Sequence, residues 1–324
     1  MTWLVWRQYR AQGAIAVALL AAAAAVIIAD GFQIASHWHS ILATCSGHTS
    51  CLRQASLVNG TLGDLPYLSL IVPAVLGILW GAPLVAHELE TRTIDFAWTQ
   101  SVTRMRWLTV KAGWLLLAAA ACGGVVTALT TWWSGPDNAL HASAFEPGHF
   151  DTQGIVPVGY AVFAMALGIA AGTVARRTLP AIAVTLGGFI GLRLVISDFV
   201  RQHYMTAVTT YYNVTDSFTP RGQAWVLAQG AISKTGRVVA TGWGDLYPAL
   251  PVSCQKLLPG SPTAKGDSLN AVFSCMQAHG WRGFATYQPA SRYWPFQGIE
   301  TGTYVLLAAA LIAVTFVIVR RRDA

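Results

Sequence analysis

Apolar runs of about twenty residues recur along this chain, and no other feature narrows its fold so far. They cover residues 12–30, 66–86, 108–132, 155–175, 179–199 and 300–319. Each is long enough to cross roughly 30 Å of hydrocarbon as a helix. A membrane β-barrel would instead show segments of about ten residues with alternating polarity, and these are absent. Only 11% of the 324 residues are charged, against about 25% in a soluble domain, which argues against an ordinary cytosolic enzyme. The expected fold is an all-α polytopic membrane protein with six spans.

Lys and Arg in the short connections set the expected orientation. Arg7 and Arg10 precede the first run. Arg92, Arg104, Arg106 and Lys111 lie between the second and third, Arg176 and Arg177 between the fourth and fifth, and Arg320, Arg321 and Arg322 near the end. The opposite loops, 31–65 and 133–154, offer only Arg53. Positive charge marks the cytoplasmic side, so both termini are expected there, in a multi-pass protein of the cell membrane. The net charge of +7 then follows from topology and implies no nucleic-acid partner. A basic start before an Ala-rich run also describes a secretory signal. The long run, with Trp3, Trp6 and Tyr9 interleaved among Arg7 and Arg10, favours a retained N-terminal helix lying in the membrane interface.

This organisation divides the chain into residues 1–199 (spans one to five with a cytoplasmic loop at 87–111), 200–299 (an extracytoplasmic domain), and 300–324 (span six and a basic tail). The 200–299 segment is too polar and too rich in Gly, Pro and Ser to be embedded. Its eight basic residues do not overturn the assignment, because long loops cross regardless of charge. Within it, 224–233 and 237–243 read as a β-hairpin turning through Lys234-Thr235-Gly236. An amphipathic helix is expected near 268–279, giving a small mixed α/β domain between spans five and six. Cys45, Cys51, Cys254 and Cys275 all fall outside the spans on the outer side, where disulfides form. The simplest pairing is Cys45 with Cys51 and Cys254 with Cys275; cross-pairing and free thiols stay open. Cys122 alone lies within a span.

No phosphate-cradling G-x-x-x-x-G-K-[ST] loop occurs, and His87-Glu88 is not followed by the second His of a metalloprotease helix. No cofactor is therefore expected in this chain. His37, His39 and His48 are more simply surface histidines than metal ligands. Gly168 with Gly172, and Gly187 with Gly191, form small-xxx-small faces that let helices approach closely, either within one subunit or between two. Arg193 and Asp198 are charges near the outer end of span five. Such charges are functional candidates by default, although Arg193 can snorkel outward and the five-residue offset turns Asp198 to a different face.

The most informative stretch is residues 87–111, HELETRTIDFAWTQSVTRMRWLTVK. It runs from acids through a short aromatic helix and a polar break to bases, and is far longer than a plain helix connection requires. Such a segment can lie along the membrane surface and present its end to a cytosolic partner. The arrangement resembles the permease subunits of ABC-2 type transporters. Glu88 or Glu90, Thr93, the Gln100-Ser101-Val102-Thr103-Arg104 run and Lys111 correspond to that family's acid, Thr, "Q-P-V-S-R" turn and Lys. Ser101 replaces the usual Pro and Thr103 the usual Ser. The MALGIAAGTVARRTLPAIAV stretch, the basic N-terminal helix and the six-span count extend the likeness.

The resemblance implies a coupling helix around Ile94, Phe96, Trp98 and Arg104 that seats on a separate ATPase subunit. It also implies that ATP and Mg²⁺ are handled in that partner, and a unit of two permease chains with two ATPase chains. Few charges within the spans favour an amphipathic or lipid-like cargo, moved outward. The competing expectations are a stand-alone membrane sensor or immunity protein whose outer domain binds a ligand, and an intramembrane enzyme.

Overall fold

A computed structural model describes residues 69–90, 103–134, 144–145, 147–216, 224–236, 238–240, 249–257 and 269–321, together with positions 14, 18, 21, 22, 24–29, 31 and 32. Two compact units result. One comprises Met1–His141, Glu146–Arg201 and Trp294–Ala324; the other, inserted into it, comprises Ala142–Phe145 and Gln202–Tyr293.

The first unit is helical. The described positions between 14 and 32 are helical. A continuous helix follows in three parts: α1 (Val72–Leu76), a π-helical turn (Gly77–Gly81) and α2 (Ala82–Glu90). Then come α3 (Arg104–Trp133), the short α4 (Pro147–Thr152), α5 (Val156–Ala175) and α6 (Thr178–Val195). A π turn (Ile196–Val200) and a 3-10 turn (Arg201–His203) prolong α6. The last helix, α9 (Tyr293–Arg321), closes the unit. Among the described residues four helices are long and apolar enough to cross a membrane: Met105–Trp133, Val156–Ala175, Thr178–His203 and Ala290–Arg321. These establish a membrane protein. Of the six expected spans, the second appears as the shorter apolar helix Val72–His87, and the first is described only in part. The N-terminal interfacial residues Trp3, Trp6, Arg7, Tyr9 and Arg10 lie outside the described residues.

α5 is the central helix. Its hydrophobic neighbours Leu76, Leu84, Val85, Leu108 and Val319 gather around Ala161, Met165 and Ile169. The close approach of α1–α2 to α5 depends on glycine from both sides. A Cβ on Gly81 would lie 2.8 Å from the Met165 carbonyl oxygen, and one on Gly77 2.5 Å from that of Ala164. Cβ atoms on Gly168 and Gly172 would collide with the backbone oxygens of Gly77 and Ala82. Gly168 and Gly172 therefore pack within one subunit, answered by a second small-xxx-small pair, Gly77 and Gly81. Gly187 and Gly191 have no such neighbour: among the described residues, nothing beyond the adjoining backbone of their own helix lies within 4 Å of a Cβ at either.

The inserted unit holds a four-stranded antiparallel sheet in the order β1-β4-β2-β3. Its strands are β1 (Val208–Asn213), β2 (Trp225–Ile232), β3 (Val238–Ala240) and β4 (Arg282–Gln288). The expected hairpin is present, with Ile232 opposite Val238 and Gly236 at φ +82°, the left-handed conformation its turn requires. Tyr212 pairs with Gly283, and its ring occupies the space a side chain there would need; burial pushes its phenol above the usual range. The expected helix is also present, as α8 (Leu269–Ala278). A short helix, α7 (Val252–Gln255), is tied to it by the Cys254–Cys275 disulfide, Cα–Cα 5.6 Å. Cys254, Val272, Met276, Ala231 and Trp281 share one core. Cys45 and Cys51 lie outside the described residues. Cys122 is a free thiol, half-buried against the α5 core.

A buried charged joint and a polar contact at opposite ends of one helix

Where α3, α4, α5, α6 and α9 meet at one end of the helical unit, the interior is polar. Asp151 on α4, Arg201 beyond α6 and Glu300 on α9 are 2%, 1% and 0% exposed. The Arg201 guanidinium donates to both Glu300 oxygens, Nε to Oε2 at 2.9 Å and Nη2 to Oε1 at 2.8 Å, and through Nη2 also to Asp151 Oδ1. Arg193 donates from Nη2 to the other Asp151 oxygen at 2.7 Å. Tyr160 on α5 donates its hydroxyl to Glu300 Oε1 at 2.6 Å, and its ring lies 5.5 Å from the Arg193 guanidinium carbon. Arg201 also stacks over Phe150, 4.2 Å from the ring centroid.

Two carboxylates and two guanidiniums make the cluster formally neutral, which is what a low-dielectric interior demands of buried charge. The π turn aligns them. Eight α-helical residues rotate through about 800°, which would leave Arg193 and Arg201 about 80° apart around the helix. The wider π turn between them rotates less per residue and brings both toward Asp151.

The backbone around this cluster is held with equal care. Gln297, fully buried, accepts from the Ile155 and Val156 N–H groups at 2.9 and 3.0 Å and donates to the Phe150 carbonyl at 3.0 Å. It thereby caps the α5 N-terminus, where Ile155 has no side-chain cap of its own. Thr127 and Thr130 of α3 donate to the Gly154 and Thr152 carbonyls. Gly154 sits at φ +72°, and a Cβ there would strike Gln297 Oε1 at 2.6 Å.

At the opposite end of α6, Thr178 donates its hydroxyl to Glu90 Oε2 at 2.6 Å. Glu90 ends α2 and is, in sequence, the residue immediately before 91–102, which lie outside the described residues. Between α5 and α6 the chain reverses through Arg176, at φ 55°, and the extended Arg177. Thr103 caps α3, accepting from the Arg106 N–H at 3.4 Å. Lys111 is buried with its ammonium 4.7 Å from the Trp107 ring centroid.

Of the coupling residues read from the sequence, Glu90 is thus placed, and Glu88 and Arg104 are placed by their backbones in α2 and α3. Thr93, Ile94, Phe96, Trp98, Gln100 and Ser101 lie outside the described residues, as do His37, His39 and His48. Arg193 does carry an interaction, but with Asp151 and not with Asp198. Asp198 is exposed and accepts from the neighbouring Ser197 hydroxyl at 3.0 Å. Asp151, Arg201, Glu300, Tyr160 and Gln297 went unread. The readable signal was the polar face Gln297-x-x-Glu300 directly before an apolar run.

In the inserted unit, His279 Nδ1 lies 3.8 and 3.9 Å from the Cys254 and Cys275 sulfurs. Those sulfurs are bonded to each other, and Nδ1 donates to the Cys275 carbonyl at 2.8 Å. The group is a disulfide beside a helix-capping histidine.

A family model described as "ABC-2 membrane transporter related" matches residues 17–201. No curated protein and no solved structure matches the chain.

Proposed function

The chain belongs to the ABC-2 membrane transporter related family, and from that premise we propose that it is the permease subunit of an ATP-driven exporter in the cell membrane. The family match carries this reading, because it takes in the whole 87–111 loop. Membership implies partnership with an ABC ATPase. ATP and Mg²⁺ are bound and hydrolysed in that separate subunit, and this chain is itself no enzyme. Two copies of each make the working unit, with the second permease chain identical or related. Both termini and the 91–102 segment face the cytoplasm, so the Glu90–Thr178 contact is cytoplasmic and the charged joint lies at the outer end.

The cargo is amphipathic or lipid-like: a drug, a peptide antibiotic or a lipid-linked molecule. Two features support this. The spans are apolar, and the charges of the Asp151, Glu300, Arg193 and Arg201 cluster neutralise one another, leaving no net formal charge there to hold an ionic cargo.

The test is a mild-detergent pull-down from native membranes with an assay for vanadate-sensitive ATP hydrolysis. A stoichiometric ATPase is expected, lost when Trp98→Ala and Arg104→Glu are combined. A chain that comes down without one refutes the permease reading. The stand-alone receptor would then be favoured by the inserted unit, which has its own core and disulfide.

A further inference from the structure

We propose that the helix running from Thr178 to Arg201 is a connecting rod, and that the charged joint at its far end is an outer latch in which Arg193 leaves Asp151 during each transport cycle. This rests on the permease reading and adds to it a moving part.

Four observations carry it. One end of the rod is held by the Glu90–Thr178 hydrogen bond, at the residue that leads in sequence into 91–102, and the other bears both latch arginines. Along its length α6 buries only a narrow stripe, Ala181, Thr185 and Phe189, followed by Ile196 in the π turn. Among the described residues, Gly187 and Gly191 meet nothing within 4 Å beyond the adjoining backbone of their own helix, so little interlocking resists a small displacement.

The latch is also uneven. Arg201, 1% exposed, is held by both Glu300 oxygens and by Asp151, whereas Arg193, with its side chain 20% exposed, has a single carboxylate contact. When Arg193 leaves, Asp151 keeps Arg201 as its partner, and the freed guanidinium is the one already partly exposed. Neither buried carboxylate then loses its last cation, because Arg201 is bonded to both, and the net charge of −1 left on the cluster draws Arg193 back, which closes the latch again. Finally, the π turn between the arginines supplies a coordinate for the motion. Rewinding it to α-helix turns Arg193 away from Arg201 by about 80°.

The experiment uses the chain purified with its ATPase in lipid nanodiscs. Spin labels are placed at Ile155→Cys and Phe199→Cys in a Cys122→Ala background, with mass spectrometry verifying that only positions 155 and 199 carry label. Both sites are exposed, at 42% and 68%, and flank the latch without belonging to it. Pulsed electron paramagnetic resonance then compares the resting complex with one trapped by ATP and vanadate. A second distance population is expected on trapping. It should be lost in Thr178→Val and Glu90→Ala and kept in Glu90→Gln, whose amide oxygen still accepts from Thr178.

An unchanged distance in a complex that does trap vanadate overturns the latch. A new population that persists in both Thr178→Val and Glu90→Ala overturns the rod. Absence of any ATPase overturns the permease reading beneath them both.

Discussion

The side chain on which the helical unit depends most is Arg201. It is fully buried, spans two carboxylates and stacks on Phe150, so its replacement strands Glu300 and half of Asp151 in a medium that solvates charge poorly. Removing one partner from a buried ion pair costs about 3–5 kcal/mol. Arg201→Met and Glu300→Gln should each lower thermal stability in detergent by that order, while Asp198→Asn, on an exposed carboxylate, should shift it by no more than about 0.5 kcal/mol. A large effect at Asp198 with none at Arg201 would show the charge assignment to be inverted. Gly154→Ala should cost at least about 1–2 kcal/mol through its left-handed backbone alone, with a further loss from displacing Gln297. Differential scanning fluorimetry of the purified chain reads all four.

Helices pack here by two different rules. The α1–α2 pair meets α5 through backbone contact at four glycines, where any side chain would drive the helices apart. α6 reaches α5 with larger side chains, Phe189 standing edge-on to Tyr160 with centroids 6.2 Å apart. Gly172→Val should therefore destabilise the fold by about 1–3 kcal/mol or more, as overpacking does. Gly187→Leu should leave thermal stability of the monomer within about 0.5 kcal/mol, being on open surface. If Gly187→Leu instead shifts size-exclusion elution with the melting point unchanged, the Gly187–Gly191 face is where another chain packs.

Much of this element pattern was legible in the sequence, since long apolar runs and turn chemistry are local signals. The hairpin at Gly236 and the helix after Ser268 were read for that reason. The charged joint was not, because Asp151 and Glu300 are 149 residues apart in sequence. Hydropathy also ends the last span at its first polar residues, whereas Gln297 and Glu300 lie inside α9, bonded to partners that only folding supplies.

For the molecule as a whole, the insertion of residues 202–293 between Arg201 and Trp294 makes two units whose stabilities have separate sources. The inserted unit leans on its disulfide. Closing a loop of about twenty residues contributes roughly 3 kcal/mol. A Cys254→Ala, Cys275→Ala double variant should thus speed hydrogen exchange across β1, β2 and β4 while leaving the amides of α5 as protected as before. Matching acceleration in both units would mean that they unfold as one.

Synthesis order adds a last consequence of the joint. A ribosome delivers Asp151, Arg193 and Arg201 to the membrane well before Glu300 exists, and for that interval one carboxylate faces two guanidiniums with the α5 N-terminus uncapped. Only the final helix restores neutrality and supplies Gln297. Chains interrupted before that helix would carry an excess positive charge into lipid, a mark by which membrane proteases can tell unfinished copies from finished ones.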